Sequence, residues 1–297
     1  MRRSFIILFL ALALTVAMSA CGSSRSSSSG GVPSLTSGNW LWIATSNTYN
    51  TTNPTPLRQY TYFRGSLTAS GSTVSAAMQI VQQNFSPPFC YSSVTPGVLT
   101  GSVDGNNLTL TLPATTLAGT LTITATVNSA NSFLGTYSTS AGTSVSCPED
   151  SGTVYGIYVP PISNNWTGTL SSTQIVIGGP TLKYTYAATA SVTQEAANAQ
   201  GVFPLSGTLT FQTNDPPNSC FISAAIDDTQ SFIQGEQVMI VTTPDVNGAQ
   251  IVFSSTPYAN LNNPATPTQI GNISYNTVGG NCFYSFGSGS LTLTTQP

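Results

Sequence analysis

The stretch LTITATV at Leu121–Val127 alternates apolar and hydroxylated residues one by one. In an extended strand successive side chains point to opposite faces, so Leu121, Ile123, Ala125 and Val127 share one face and the threonines the other. LTLTL at Leu108–Leu112 repeats the pattern, as do Val74, Ala76, Met78 and Ile80 set against Thr73, Ser75, Ala77 and Gln79. Leu205, Gly207, Leu209 and Phe211 follow the same period further on. A strand with one oily and one wet face belongs to an antiparallel sheet. Asp104-Gly105 and Asn247-Gly248 stand between such runs as hairpin signals. No stretch repeats at helical spacing, and Thr193–Gln200 offers at most one helical turn or a loop. The expectation is an all-β chain.

Charge does little of the work of solvation. Beyond residue 21 the basic residues are Arg25, Arg58, Arg64 and Lys183 against nine acids, a balance of 4 − 9 = −5. Nucleic acid is excluded as a partner, because phosphate recognition needs clustered Lys and Arg. There is no histidine, so Ser-His-Asp and Cys-His arrangements cannot be built. Most acids lie in apparent turns, where a solvated carboxylate is the plain reading. Asp227, Asp228 and Glu236 are the one acidic group worth weighing as a calcium site, but their spacing matches no defined loop. The expectation is no enzyme, no catalytic residues, no cofactor and no metal.

The amino terminus reads as an address. Arg2 and Arg3 precede an apolar run of signal-peptide length that ends in small residues. Met18-Ser19-Ala20-Cys21 resembles the lipobox of bacterial lipoproteins. The resemblance implies cleavage before Cys21, lipidation of its thiol and loss of residues 1–20. Three acyl chains would anchor firmly, since each buried methylene contributes about 0.8 kcal/mol. Residues 21–36 are the lipidated cysteine and a Ser/Gly linker, too poor in apolar groups to fold. Gly22 follows the cysteine where an aspartate would imply retention at the inner membrane, so the outer membrane is expected.

Within the remainder the chain is written twice. Asn39-Trp40 recurs as Asn165-Trp166, and a Pro-Pro pair precedes both Cys90 and Cys220. TYST at Thr136–Thr139 resembles SYNT at Ser274–Thr277, and each is followed by a second cysteine, Cys147 or Cys282. Trp to first cysteine is 50 residues in one copy and 54 in the other. The expected domains are 37–160 and 161–297, joined at Pro160-Pro161 by a hinge short enough that they should touch. Four cysteines allow three pairings. The duplication favours Cys90–Cys147 and Cys220–Cys282, because each copy should be complete in itself. Cys21 alone has no equivalent. No Cys-x-x-Cys spacing and no histidine support a metal site instead.

With seven to nine short strands expected per copy, each domain is a meander barrel or a two-sheet sandwich. The tryptophan of an immunoglobulin-like sandwich is missing after Cys90 and Cys220. Two tandem antiparallel β-domains, lipocalin-like meander barrels rather than immunoglobulin-like sandwiches, are therefore expected. Asn-Trp near the start, glycine-rich hairpins and a late cysteine before a closing strand also resemble duplicated β-domain lipoproteins of soil bacteria, of acidobacterial type. That resemblance implies no catalytic residue.

Trp40 and Trp166 recur at matching places, which favours a shared core role. Trp42 has no counterpart in the second copy, where Gly168 stands, and is the better candidate for a surface or pocket. Arg58, Tyr60, Tyr62, Phe63 and Arg64 mix aromatic and basic groups, and with Trp42 they form the candidate contact surface. The function expected is that of a noncatalytic envelope or surface lipoprotein contacting protein, glycan or cell wall. The alternative is a carrier holding a small apolar ligand in a barrel cavity.

Overall fold

A computed structural model describes residues 34–50, 57–83, 96–114, 118–142, 147–175, 181–212, 223–244, 250–255, 269–278 and 285–293. All regular elements among them are strands, and residues 33–297 cluster as one unit. The first eight are β1 (Gly38–Asn50), β2 (Leu57–Ser70), β3 (Thr73–Gln83), β4 (Gly97–Asp104), β5 (Asn107–Leu112), β6 (Leu121–Ser129), β7 (Ser132–Thr139) and β8 (Asp150–Tyr158). Each pairs antiparallel with the next, and β1 also pairs with β8, so the ladder closes into an eight-stranded barrel. Closure leaves no free edge. It also removes the sandwich alternative for these strands, which needs two open sheets. The Asp104-Gly105 hairpin forms as expected, with Asp104 opposite Asn107. Asn247-Gly248 lies outside the described residues.

The alternation sorts faces as the sequence demands. Leu121, Ile123, Ala125 and Val127 are buried, while Thr124 and Thr126 are exposed. An eight-stranded barrel is just wide enough for its side chains to fill. Trp40, Trp42, Phe63, Met78, Leu99 and Phe133 fill this one, none more than 2% exposed. Phe133 stacks on Trp40 with centroids 5.9 Å apart and meets Trp42 edge-on at 5.5 Å. Gly156 makes room for that ring, because a Cβ there would stand 2.2 Å from it.

A second antiparallel ladder follows. Its strands are β9 (Asn164–Ile175), β10 (Thr181–Gln194), β11 (Phe203–Gln212), β12 (Ala224–Ala225), β13 (Phe232–Gln234), β14 (Gln237–Val241), β15 (Gln250–Ser255), β16 (Gln269–Val278) and β17 (Ser285–Leu293). The order β10-β9-β17-β16-β15-β14-β13-β11-β12 carries an additional β10–β11 pairing, which returns the circuit to its start. Strands β12 and β13 both pair with β11, at Thr208–Leu209 and at Phe203–Pro204. They are two halves of one interrupted strand. No helical turn forms at Thr193–Gln200: β10 continues through Gln194, and the Asn198 side chain then accepts from the Gln200 and Val202 amides.

Each ladder begins with the same corner. The Trp40 indole donates to the Thr36 carbonyl at 2.8 Å, and that of Trp166 to the Ile162 carbonyl at 3.0 Å, four residues back in both cases. Three residues before each tryptophan a serine hydroxyl accepts a backbone amide of the neighbouring strand. Ser37 accepts from Ala69 at 3.0 Å and Ser163 from Gln194 at 2.7 Å. Those amides lie four residues beyond the tryptophans' own partners, Gly65 and Ala190.

The ladders meet along the outer face of β1, β2 and β8. Leu41 and Ile157 point away from the barrel interior and are buried in the core of the second ladder, with Ile43, Tyr62 and Tyr155 packed beside them. At the edge of this junction the β13–β14 turn seats Gly235 against Asn39. The Asn39 amide donates to the Gly235 carbonyl at 2.9 Å, and the Gly235 N–H donates back at 2.8 Å. Gly235 has φ +55° and lies so close that a Cβ would stand 2.8 Å from Arg64 Cγ. Only glycine meets both conditions without strain.

Candidate functional site

The expected contact surface is not assembled. Strand β2 turns Phe63 into the barrel beside Trp42, with ring centroids 5.7 Å apart. Both are buried, so neither reaches an external partner. The physical reason is the phase of the strands: Trp42 follows Trp40, and Phe63 precedes Leu67, on the inward face. Tyr62 and Arg64 point outward but into the junction. Arg64 Nε donates to both carboxylate oxygens of Glu236, at 2.9 and 3.0 Å, and the pair is buried. Its guanidinium also lies 5.2 Å from the Tyr62 ring centroid, within range of a cation–π attraction. Burial, and then the charge of Glu236, push the Tyr62 hydroxyl above its ordinary pKa, with Arg64 opposing them. Of the six residues only Arg58 is exposed, and Tyr60 is half-buried.

Of the three acids weighed as a calcium site, Glu236 and Asp227 are engaged elsewhere. Glu236 belongs to Arg64. Asp227 caps the turn that interrupts the fourth strand of the second ladder, accepting from the Thr229 amide and hydroxyl and from the Gln230 amide group. Those bonds hold its carboxyl below the ordinary aspartate value. Among the described residues no group of three or more His, Cys, Asp or Glu is placed to hold a metal ion. Cys147 is buried and disulfide-bonded. Cys21, Cys90, Cys220 and Cys282 lie outside the described residues.

The densest polar arrangement is one that sequence reasoning missed. It sits at the barrel end where β1, β3 and β7 finish and β2 and β8 begin. Here the inward positions change character. Ser46, Gln59, Thr61, Gln82 and Tyr137 are all buried. In register, Ala44, Thr61 and Gln82 stand side by side, and one inward step deeper come Trp42, Phe63 and Ile80. Asp150 completes the rim: its Oδ1 accepts from Ser46 Oγ at 2.6 Å and its Oδ2 from the Tyr137 hydroxyl at 2.5 Å. The Asp150 amide donates to Thr139 Oγ1 at 2.8 Å, and the Thr48 amide to Ser46 Oγ at 2.8 Å. Beneath this rim the Trp42 indole N–H is buried without a hydrogen-bond partner.

A signal for this mouth was present in the sequence. Along β3 the inward series Val74, Ala76, Met78, Ile80 continues to Gln82, and along β2 the series Leu67, Phe63 runs back to Thr61 and Gln59. Polar residues that keep an apolar phase mark the place where a core gives way to something wetter. No protein-family model matches the chain, and no curated protein matches it.

Proposed function

We propose that the chain is a noncatalytic, lipid-anchored lipoprotein of the bacterial envelope whose paired β-units make glycan, cell-wall or protein contacts. The observation carrying this reading over the apolar carrier is the filled barrel. A cavity wide enough for an oily guest would leave its lining accessible, and the largest interior side chains are at most 2% exposed. Several other features support the same picture. The twin Ser-x-Asn-Trp corners and the second closed circuit of pairings favour two tandem lipocalin-like meander domains, 37–160 and 161–297. The β3–β4 connection, which contains Cys90, and the β7–β8 connection, which contains Cys147, leave the barrel at the same end, which favours Cys90–Cys147. The same alternation favours Cys220–Cys282 in the second ladder.

In this reading Cys21 carries the lipid, residues 1–20 are removed, and the linker at 21–36 tethers the body to the outer membrane. The test is to express the full chain in a bacterium and follow palmitate incorporation and membrane fractionation beside Cys21→Ala. Retention of label and membrane association only with Cys21 is the expected result. Equal behaviour of the two proteins would refute the anchor. Co-sedimentation of the protein with isolated envelope glycan tests the contact role, and its absence would refute a glycan contact.

A further inference from the structure

We infer that the junction is a one-way latch: the first barrel is complete in itself, whereas the second ladder is finished by the first barrel's outer wall. Opening the junction then unfolds the second ladder and leaves the first barrel standing. The two cores are not reciprocal. Among the described residues the barrel core draws on nothing beyond Tyr158, and it buries its own Leu35 from the segment that enters β1. The core of the second ladder takes in Leu41 and Ile157 from the barrel wall and Val159 and Ile162 from the connection, none more than 2% exposed.

The duplication supplies an internal comparison. Trp40 pairs with Gly65 and Trp166 with Ala190, so Leu41 and Arg64 correspond to Thr167 and Thr189, each couple being cross-strand partners. Asn39, Leu41 and Arg64 are buried, while Asn165, Thr167 and Thr189 are exposed. The turns differ in the opposite sense. Gly235, at φ +55°, lies between paired Gln234 and Gln237, as Gly105, at φ +58°, lies between paired Asp104 and Asn107. Gly235 is seated on Asn39 and Arg64, and a Cβ on Gly201 in the β10–β11 connection would run into the Ala77 carbonyl of β3. A Cβ on Gly105, or on Gly71 in the β2–β3 turn, would meet nothing within 4 Å. The first copy's wall therefore receives, the second copy's turns grip, and the corresponding wall and turns face solvent. For the barrel, Leu41 and Ile157 are outward positions of the kind that Thr109, Thr124 and Thr136 fill elsewhere on its exposed surface. For the second ladder the same two side chains are core, and core truncation is costly.

The test uses the full chain carrying Leu41→Thr and Ile157→Thr together, which gives the barrel wall the residue type found at Thr167. Hydrogen exchange followed by NMR reads the opening of each strand. The bonded indole N–H groups of Trp40 and Trp166 form a matched pair of reporters, one in each unit. The β10 and β11 amides and the Trp166 indole should exchange at least about a hundredfold faster, the effect of two core truncations. The β5 and β6 amides and the Trp40 indole should keep their native protection. Thr167→Ser with Thr169→Ser, on the second copy's own wall, should change neither unit. Leu35→Ser, inside the barrel, should speed exchange in both, since the ladder rests on the barrel. Parallel loss in both units of the Leu41→Thr/Ile157→Thr protein would overturn the latch in favour of one indivisible body. Unchanged protection of β10 and β11 would overturn their dependence on the wall. If that variant does not accumulate folded, the native chain in low urea answers the same question. There the β10 and β11 amides should exchange through a smaller opening than those of β5 and β6, and equal openings would overturn the latch.

Discussion

Replacing Glu236 by leucine should destabilise the protein far more than replacing both members of its ion pair. The Arg64 and Glu236 side chains are only 9% and 11% exposed, and the guanidinium bonds both carboxylate oxygens. Removing the carboxylate alone strands a cation between two β-ladders, where water cannot resolvate it. Breaking a buried pair this way costs about 3–5 kcal/mol. For a body of this size each kcal/mol moves Tm by about 2–4 °C, so Glu236→Leu should lower Tm by roughly 6–20 °C. The double variant Arg64→Met/Glu236→Leu removes both charges and leaves apolar groups beside Leu41, Ile157 and Tyr62. Such exchanges are commonly neutral or stabilising by about 1–4 kcal/mol. Urea unfolding of the full chain, followed by tryptophan fluorescence and by far-UV circular dichroism, measures both proteins against the native one. Coincidence of the two probes checks that a single transition is being read. A Glu236→Leu protein within about 1 kcal/mol of native would refute the reasoning, because an exposed pair has that worth. So would a double variant as unstable as the single one, since that would place the cost in the shape of the junction rather than in the stranded charge.

Other consequences follow from single positions. Gly235→Ala should cost more than about 1 kcal/mol by calorimetry, since the residue must hold φ +55° with a Cβ 2.8 Å from Arg64 Cγ. Gly156→Ala should cost about 1–3 kcal/mol through collision with Phe133, and Phe133→Leu in the same chain should recover part of it. Trp40→Phe and Trp166→Phe should lose similar stability, about 1 kcal/mol each from the indole bond, because the two corners are made the same way. Asp227 has its pKa lowered by bonds that exist only in the fold. Its contribution is therefore present above the ordinary aspartate value of 3.8 and lost as pH falls through the lower folded value. Carboxyl NMR should show Asp227 titrating below that value in native protein and at it in Thr229→Ala/Gln230→Ala. Tyr62, Tyr155 and Tyr158 are raised above 10.0, burial being the largest cause in each. The stability this gives is present below that value and lost as pH rises through the higher folded ones. Absorbance at 295 nm should therefore show their ionisation delayed beyond that of exposed tyrosines.

Much of this architecture is local and could be read along the chain. Alternation assigned the faces of β3, β5 and β6 because side-chain direction in a strand depends only on position. The Asp104-Gly105 turn declared its hairpin for the same reason: its geometry is settled within four residues. Trp40 and Trp166 were legible as matching core positions, though not the indole bonds that hold them. What lay beyond the sequence is what depends on distant partners. Arg64 reads as a surface cation beside tyrosines until Glu236, 172 residues away, closes on it. Trp42 and Phe63 read as contact aromatics until the β1–β8 pairing wraps their strands into a barrel and makes their face the inside. The polar mouth was written as Gln59, Thr61 and Gln82 on the apolar phase, but only closure brings Ser46, Tyr137 and Asp150 to the same rim. Local period decides which way a side chain points; tertiary closure decides whether that direction is solvent, core or site.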